Sequence, residues 1–206
     1  MKRFVDIVIA SIAILFLSPV FLFVAYKVRK HLGSPIFFCQ ERPGKDGKIF
    51  KMIKFRSMKN ALDSQGNLLP DEQRITSFGQ KLRATTLDEM PQLFNVLKGD
   101  MSIVGPRPQM PEFLEYYTTD QMRRHEVKPG MTGLAQVSGR NNLSWEEKFD
   151  LDVEYVDTHS ILLDFKIMLK TVEVMLKKEG INAPDQEVGA VRFSSQNDSQ
   201  SESIRK

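Results

Sequence analysis

Two adjacent carboxylates, Asp88 and Glu89, are the residues of this 206-residue chain best suited to chemistry. They lie at the start of a predicted helix that runs from near Asp88 to Lys98, where free N–H groups and the helix dipole favour an anion. A carboxylate stabilised in this way stays ionised, as a nucleophile must. However, acidic residues also collect in first turns for structural reasons, and Thr86-x-x-Glu89 matches a capping box. Capping is the simpler local interpretation, and it is compatible with catalysis.

Five cations strengthen the catalytic interpretation. They lie in or beside segments marked by Gly or Pro, and not on exposed amphipathic faces: Lys54, Arg56, Arg83, Arg107 and Arg140. Arg107 stands between Pro106 and Pro108, which restrict the backbone on both sides. Planar guanidinium groups suit bidentate phosphate binding, so arginines on stiff loops predict a phosphate clamp. A carboxylate pair among such cations also suits Mg²⁺, which takes one or two carboxylates plus phosphate oxygens.

The apolar run from Ile7 to Tyr26 predicts a membrane contact. It has roughly the 20 residues that a helix needs to cross the hydrocarbon. Pro19 cannot donate to the Leu15 carbonyl, so the helix should kink there, and the Ser18 hydroxyl can bond the freed carbonyl. Basic residues flank both ends, although a spanning helix normally has its excess at one end: Lys2, Arg3, Lys27, Arg29 and Lys30.

These flanks favour a re-entrant helix that dips into the inner leaflet and returns, with a kinked spanning anchor as the alternative. A cleaved signal peptide is disfavoured because the apolar run is too long and no small-residue cleavage site follows it. The rest of the chain is polar, since the mean hydropathy is −0.29 despite this run. Residues 31–182 are enough for one domain with a real core, and the Ser/Gln-rich residues 183–206 are predicted to be disordered.

Composition excludes several classes of protein. A formal charge of only +3 argues against a nucleic-acid binder. The single Cys39 excludes an internal disulfide and fits a domain that faces the cytosol. The three histidines lack the spacing of a zinc site: His31, His125 and His159. The sequence has no internal repeat, no Walker A motif and no G-x-G-x-x-G loop.

A coarse assignment predicts two strands, Ile36–Gln40 and Ile49–Phe55, joined by a turn, and a loop over residues 60–74. Further helices are predicted from the caps and periodicity: a short one ending at Leu82 to Arg83, Pro111 to Tyr117, a Thr119 cap through Arg124, a Ser144/Glu147 capping box to about His159, and Ile161 to Lys178. The last helix has an apolar face that either packs on the core, the commoner outcome, or rests on a membrane surface: Leu162, Phe165, Leu169, Val172 and Leu176.

Five motifs follow one another between Lys2 and about Gly180: the N-terminal run with Ser18-Pro19, FFCQERPGKDGKIFKMIKFRSM, TTLDEMPQLFNVLKGDMSIVGPRP, KPGMTGLAQVSGR and SWEEKFDLDVEYVDTHSILLDFKI. In this order and spacing they resemble the small bacterial monotopic phosphoglycosyl transferases, the polyprenyl-phosphate sugar-1-phosphate transferases that begin glycan assembly. Because the run comes first in the sequence, we expect a member of the kind that consists of the catalytic core alone.

The resemblance implies a helix-rich α+β fold: a kinked re-entrant helix (residues 1–30), then one compact cytoplasmic catalytic domain with a small β-hairpin (31–182), on the cytoplasmic face of the bacterial inner membrane. It implies a double displacement. Asp88 attacks the β-phosphorus of a UDP-sugar and expels UMP, and polyprenyl (undecaprenyl) phosphate then takes the phosphosugar. Mg²⁺ is the implied cofactor, and membrane lipids and other glycan-pathway enzymes are the implied partners, with no nucleic acid.

Site roles follow from the same resemblance. Asp88 is the nucleophile and a Mg²⁺ contact, and Glu89 positions the polyprenyl phosphate. A polar pocket is lined by four cations that face phosphates and by a carboxylate that orients them: Lys54, Arg83, Arg107, Arg140 and Asp152.

Two alternatives stay open. One is direct transfer in a ternary complex, with Asp88 only holding Mg²⁺. The other is a membrane-anchored scaffold without activity, whose arginines bind lipid head groups; the spread of these cations over distant segments argues against it, because a lipid-binding patch tends to cluster. No residue predicts the sugar or the oligomeric state.

Overall fold

The computed structural model describes residues 1–139 and 143–177. It is a helix-rich α+β structure, as predicted. The chain divides into two compact units. The first unit holds Met1 and residues 3–40 and 51–98, and the second holds Lys2, residues 41–50 and the chain from Gly99 onward. Arg140, Gly180 and the predicted disordered tail lie outside the described residues.

The apolar run lies within one helix, α1 (Lys2–Leu32), which continues through Pro19. The Ser18 hydroxyl donates to the Leu15 carbonyl at 2.8 Å. This hydrogen bond confirms that Ser18 serves the carbonyl that Pro19 cannot reach. Within the described residues, α1 is the one helix long and apolar enough to cross a membrane.

Both ends of α1 are hydrogen-bonded to other segments of the first unit. Near the N-terminus, the Arg3 guanidinium donates to the carbonyls of Val96 and Leu97. At the C-terminal end, the Arg56 guanidinium donates to the Leu32 carbonyl. Residues near each end are buried, whereas the middle of the helix is largely exposed, with Phe16 77 % exposed.

A two-stranded sheet follows, with β1 at Phe37–Pro43 and β2 at Ile49–Phe55. Strand β2 has the predicted bounds, and β1 starts one residue later and runs three residues further than predicted. The 3₁₀ turn Lys45–Gly47 joins them. Phe55 at the end of β2 belongs to the core of the first unit, whose other buried members are Val24, Val28, Leu82 and Met90.

The predicted loop over residues 60–74 is mostly irregular and ends in the short helix α2 (Asp71–Arg74). Helix α3 (Ser77–Ala84) then agrees with the short helical stretch expected to end at Leu82 to Arg83.

The predicted single helix from Asp88 to Lys98 is wrong in its first turn. The chain forms a 3₁₀ turn over Leu87–Glu89, and α4 starts only at Gln92 and ends at Lys98. Pro91 lacks the N–H that would bond the Leu87 carbonyl in an α-helix. That carbonyl accepts from the Met90 N–H instead, at 3.3 Å.

The predicted capping box of Thr86 with Glu89 is also wrong. Thr86 adopts a left-handed conformation with φ 58° and makes no side-chain capping bond. Gly99 ends α4 as predicted, since its φ of 99° is one that glycine adopts without steric cost.

The second unit contains a parallel pair of three-residue strands, β3 (Ser102–Val104) and β4 (Gly130–Thr132), which the sequence analysis missed. A 3₁₀ helix, Pro111–Glu115, replaces the first predicted helix here. Thr118, not Thr119, caps α5 (Thr119–Met122), because its side chain and that of Gln121 form the reciprocal box. A 3₁₀ turn, Arg123–His125, continues α5.

Three helices complete the second unit: α6 (Leu134–Ser138), α7 (Trp145–Thr158) and α8 (Ile161–Lys177). The predicted capping box at the start of α7 is confirmed, with Ser144 and Glu147 as its partners.

Of the two outcomes left open for the apolar face of α8, the commoner one, packing on the core, is not what the structure has. All five residues of that face are exposed, from Phe165 at 55 % to Leu176 at 78 %. Asp164 and Ile167 are the buried residues of this helix instead. The face is therefore open to a partner such as a membrane surface.

Candidate active site

The acidic pair lies on the 3₁₀ turn between α3 and α4, in the first unit. Lys54 of β2 donates from Nζ to Glu89 Oε1 at 3.0 Å, and both side chains are about 15 % exposed. Arg83, in the last turn of α3, donates from Nε to Ser57 Oγ at 2.9 Å. The turn therefore carries its two carboxylates beside two cations from neighbouring elements.

Asn95 fixes α4 against β2. Its Oδ1 accepts from the Ile53 N–H at 2.9 Å, and its Nδ2 donates to the Lys51 carbonyl at 2.8 Å. The buried amide thus satisfies two backbone groups of the strand that carries Lys54. This bridge sets the distance between the strand and the helix that follows the acidic turn.

Asp88 is buried, with 8 % of its surface exposed. Burial and the negative charge of Glu89 raise the pKa of Asp88 to about 6, against the opposing charges of Lys54 and Arg83. Desolvation therefore outweighs the nearby cations in setting the pKa of this carboxylate. Asp88 is still mostly ionised at neutral pH, and as a base and nucleophile it is stronger than an ordinary carboxylate.

Mg²⁺ fits the chemistry of this donor set. The described residues contain no group of three or more His, Cys, Asp or Glu side chains placed to hold a metal. Mg²⁺ needs only one or two carboxylates when phosphate oxygens and water complete its shell. Asp88, whose buried charge is opposed by Glu89, is the side chain that a divalent cation would stabilise most.

The segment that carries Arg107 is held in the second unit by backbone hydrogen bonds to the β4 region. The Gly105 N–H donates to the Thr132 carbonyl, and the Gly130 N–H donates to the Pro106 carbonyl, both at 2.9 Å. A Cβ at Gly130 would lie 2.1 Å from the Gly105 nitrogen. The GPRP and KPGMTG motifs therefore belong to one closely packed backbone arrangement, which requires glycine at this contact.

Asp152 does not stand alone: it pairs with Arg124, a residue the sequence analysis missed. The Arg124 guanidinium donates to Asp152 Oδ2 at 2.6 Å from Nη2 and at 3.1 Å from Nε. It also donates to the Tyr117 hydroxyl at 2.6 Å and to the Arg107 carbonyl at 2.7 Å. Burial alone would lower the pKa of Arg124, but Tyr117 and Asp152 outweigh it and raise the pKa.

The predicted site residues therefore fall into two sets. The first unit brings together Lys54, Arg83, Asp88 and Glu89. In the second unit, Arg124 connects Asp152 to the backbone of Arg107. Arg140 lies outside the described residues.

Arg56 does not belong to a phosphate clamp. Its guanidinium is buried and donates to the carbonyls of Leu32 and Ser34 at the end of α1. This cation, the residue directly after β2, therefore connects the end of α1 to the end of that strand.

One sequence signal could have revealed Arg124. Asp152 lies on the apolar stripe of α7, three residues after Phe149 and four before Val156, and all three are buried. A carboxylate on a core face needs a buried partner. The pattern predicts such a cation, but it does not say which one.

Comparisons with known proteins agree with the resemblance. The family model described as "Bacterial sugar transferase" matches residues 1–178. The "Uncharacterized sugar transferase EpsL" of Bacillus subtilis is 51 % identical over 96 % of this chain and 98 % of its own length. The "Undecaprenyl-phosphate galactose phosphotransferase" of Salmonella typhimurium is 40 % identical over 87 % of this chain and 41 % of its own length. The "UDP-glucose:undecaprenyl-phosphate glucose-1-phosphate transferase" of Klebsiella pneumoniae is 40 % identical over 83 % of this chain and 39 % of its own length.

The chain belongs to the bacterial sugar transferase family and is a phosphoglycosyl transferase. It spans nearly the full length of the Bacillus relative and about two fifths of the other two.

Proposed function

We propose that this protein transfers a sugar-1-phosphate from a UDP-sugar to a membrane polyprenyl phosphate, by way of an aspartyl phosphosugar. The observation that carries the proposal is the buried Asp88 carboxylate, whose pKa is raised to about 6 by burial and by Glu89, beside the cations Lys54 and Arg83. Such a carboxylate is nucleophilic and is ionised at neutral pH. The names of the Salmonella and Klebsiella relatives support this class of donor and acceptor.

In the first step, an Asp88 carboxylate oxygen bonds to the β-phosphorus of the donor. The bond from that phosphorus to the bridging oxygen breaks, and UMP leaves with the electron pair. In the second step, a phosphate oxygen of the polyprenyl acceptor attacks the same phosphorus and releases the Asp88 carboxylate. One pyrophosphate linkage replaces another, so the reaction is readily reversible.

The cations neutralise and orient phosphate charge, which is most of what phosphoryl transfer requires. Lys54 and Arg83 act beside Asp88, while Arg107 and Arg140 bind donor phosphates. Glu89, paired with Lys54 at 3.0 Å, positions the polyprenyl phosphate. When bound at Asp88, Mg²⁺ supplies further neutralisation of phosphate charge. A covalent intermediate lets a soluble donor and a lipid acceptor use one site in turn.

We propose that α1 is re-entrant and that the enzyme works at the cytoplasmic face of the inner membrane. Arg3 and Arg56 connect the two ends of α1 to other segments of the first unit, and the middle of the helix is exposed. Lys2, which belongs to the second unit, pairs with Asp164 of α8 at 2.5 Å. Residues before and after the apolar run thus contact the polar part of the chain, which supports one side of the membrane for both. The exposed apolar face of α8 gives a second lipid contact.

Intact-protein mass spectrometry with UDP-sugars and Mg²⁺, without acceptor lipid, tests the mechanism. We expect wild type to release UMP and to gain the mass of one phosphosugar. Asp88→Asn should gain none, whereas Glu89→Gln should form the adduct and stall before transfer to lipid. Turnover only when both substrates are present, with no adduct, would establish direct transfer. An absence of turnover with every UDP-sugar would favour the scaffold.

Cysteine labelling of intact cells tests the topology. A probe placed before Lys2 should stay protected from the outside, as the domain after Lys30 should. Labelling of the first with protection of the second would show that α1 spans the membrane. Pro19→Ala should straighten the helix and shift it towards spanning.

A further inference from the structure

We propose that Arg124 is a positioning residue of the transferase: it fixes the backbone of Arg107, and Asp152 acts through Arg124 and not on the substrate. The inference rests on the proposed function, in which Arg107 binds a donor phosphate. It concerns only the second unit, which contains all the residues involved.

The first step is the geometry of the guanidinium. Nε and Nη2 of Arg124 both donate hydrogen bonds to Asp152. Nη1 donates to the Tyr117 hydroxyl, and Nη2 donates a second hydrogen bond to the Arg107 carbonyl. Its carbon Cζ also lies 5.2 Å from the centre of the Phe149 ring and 5.3 Å from that of Tyr117. Each edge of the planar group is therefore occupied, and the group has one orientation that satisfies all its partners.

The second step is burial. The side chain of Arg124 is 1 % exposed and that of Asp152 4 %. Neither group is exposed enough to contact a substrate at the surface, so Asp152 cannot orient a phosphate directly. What the pair can do is hold the carbonyl of Arg107 in place, because a buried charged donor that loses its acceptor carries a large desolvation penalty.

The third step is the segment that is held. Pro106 and Pro108 restrict the backbone around Arg107, and the Pro106 carbonyl already accepts from Gly130. The Arg107 carbonyl is the next acceptor along the chain, and Arg124 fixes it. Arg107 itself is half-buried, unlike Arg124. These hydrogen bonds thus immobilise the backbone of Arg107. The guanidinium of Arg107 is therefore carried by a fixed main chain.

A double-mutant cycle in the full-length enzyme tests this inference. Arg124→Lys keeps the charge but cannot reach all three partners. We expect it to lower kcat/KM for the UDP-sugar by about 10- to 100-fold, measured as UMP release at a temperature where the variant is fully folded. In an Arg107→Ala background the same change should lower kcat/KM by less than about 3-fold, because nothing remains to be positioned.

Arg123→Lys is the matched control. Arg123 is the neighbouring arginine, and its partners are the exposed carboxylates of Asp120, Glu126 and Asp157. We expect less than about a 2-fold change in either background. A purely structural role for Arg124 would lower the melting temperature and give the same fold loss of kcat/KM with or without Arg107.

Equal losses in both backgrounds would overturn the inference, as would wild-type kinetics in Arg124→Lys or in Arg107→Ala. If Arg124→Lys does not fold, the cycles of Tyr117→Phe and Asp152→Asn with Arg107→Ala are judged by the same criterion. A wild-type enzyme that releases no UMP from any UDP-sugar would refute the proposed function itself. An active wild type with equal losses in the two backgrounds would refute only the positioning role.

Discussion

The two units differ in the charge that acts most strongly on their buried carboxylate, which is Glu89 for Asp88 and Arg124 for Asp152. In the first unit, Asp88 and Glu89 place two negative charges side by side, and burial raises the pKa of Asp88 to about 6. In the second unit, burial raises the pKa of Asp152 as well, but its carboxylate accepts from the buried Arg124 guanidinium at 2.6 Å. A group that must react gains from being held in an unfavourable environment, whereas a group that must position another gains from a buried partner with directional hydrogen bonds.

The comparison predicts that charge removal has opposite consequences in the two units. The ionised form of Asp88 is disfavoured in the folded protein, so neutralising this side chain should not lower the free energy of unfolding. It should, however, abolish turnover. Neutralising Asp152 would leave the buried Arg124 guanidinium without its counter-ion, so it should weaken the fold. The predictions below test this contrast, in order of decreasing effect.

The largest expected effect is on turnover in Asp88→Asn. An amide cannot form the covalent intermediate, so we expect kcat to fall by at least about 10⁴-fold, measured as UMP release with saturating substrates. An active variant would end the nucleophile assignment.

The stability of the same variant is its internal control. The folded pKa of Asp88 exceeds its unfolded value, so the ionised side chain lowers stability progressively as the pH rises from about 4 to 6. In metal-free buffer at pH 8, Asp88→Asn should therefore be at least as stable as wild type, by up to about 3 kcal/mol. A clear loss of stability would show that Asp88 supports the fold.

The second prediction concerns Asp152→Asn, which has the same chemistry in the other unit. Removing the charge leaves the buried Arg124 guanidinium without its counter-ion. We expect a loss of about 3 kcal/mol in the free energy of unfolding, measured by denaturant titration. Unchanged stability would contradict the contrast between the two units.

The third prediction uses His125, beside Arg124. Burial, together with the charge of Arg124, lowers the pKa of His125 to about 4, and its Nδ1 lies 3.3 Å from the Met122 carbonyl. The unfolded chain takes up this proton near pH 6.5, so the stability that neutral His125 provides is lost as the pH falls from 6.5 towards 4. Between pH 7 and pH 4.5, wild type should lose about 2 kcal/mol more stability than His125→Asn. If the stability of the two proteins changed equally with pH, this prediction would be contradicted.

The last prediction, whose range reaches down to the smallest effect, concerns Arg107→Lys. The substitution keeps the positive charge and the backbone carbonyl that Arg124 holds, but it removes the guanidinium fork. We expect a loss of about 1–3 kcal/mol in transition-state stabilisation, measured as kcat/KM, with an unchanged melting temperature. Wild-type kinetics would make Arg107 a merely electrostatic residue.

The local sequence predicted those elements whose cause is local. The Ser144/Glu147 capping box, the bounds of β2, the Gly99 stop and the bond from Ser18 to Leu15 each depend on residues a few positions apart. Local rules for helix starts and caps were unreliable where another constraint on the backbone competed with them. Pro91 turned the expected first helical turn into a 3₁₀ turn, and Thr86 does not cap it.

The sequence by itself determined the apolar helix, the acidic pair, two of the cations beside it (Lys54 and Arg83) and the family to which the chain belongs. Only the tertiary structure decided that Asp88 is buried enough to raise its pKa, that Arg56 connects the end of α1 to the end of β2, and that the apolar face of α8 stays exposed. It also decided that Asp152 meets Arg124, which lies 28 residues away in the chain. Burial and long-range pairing depend on which segments pack together, and no local spacing encodes that choice.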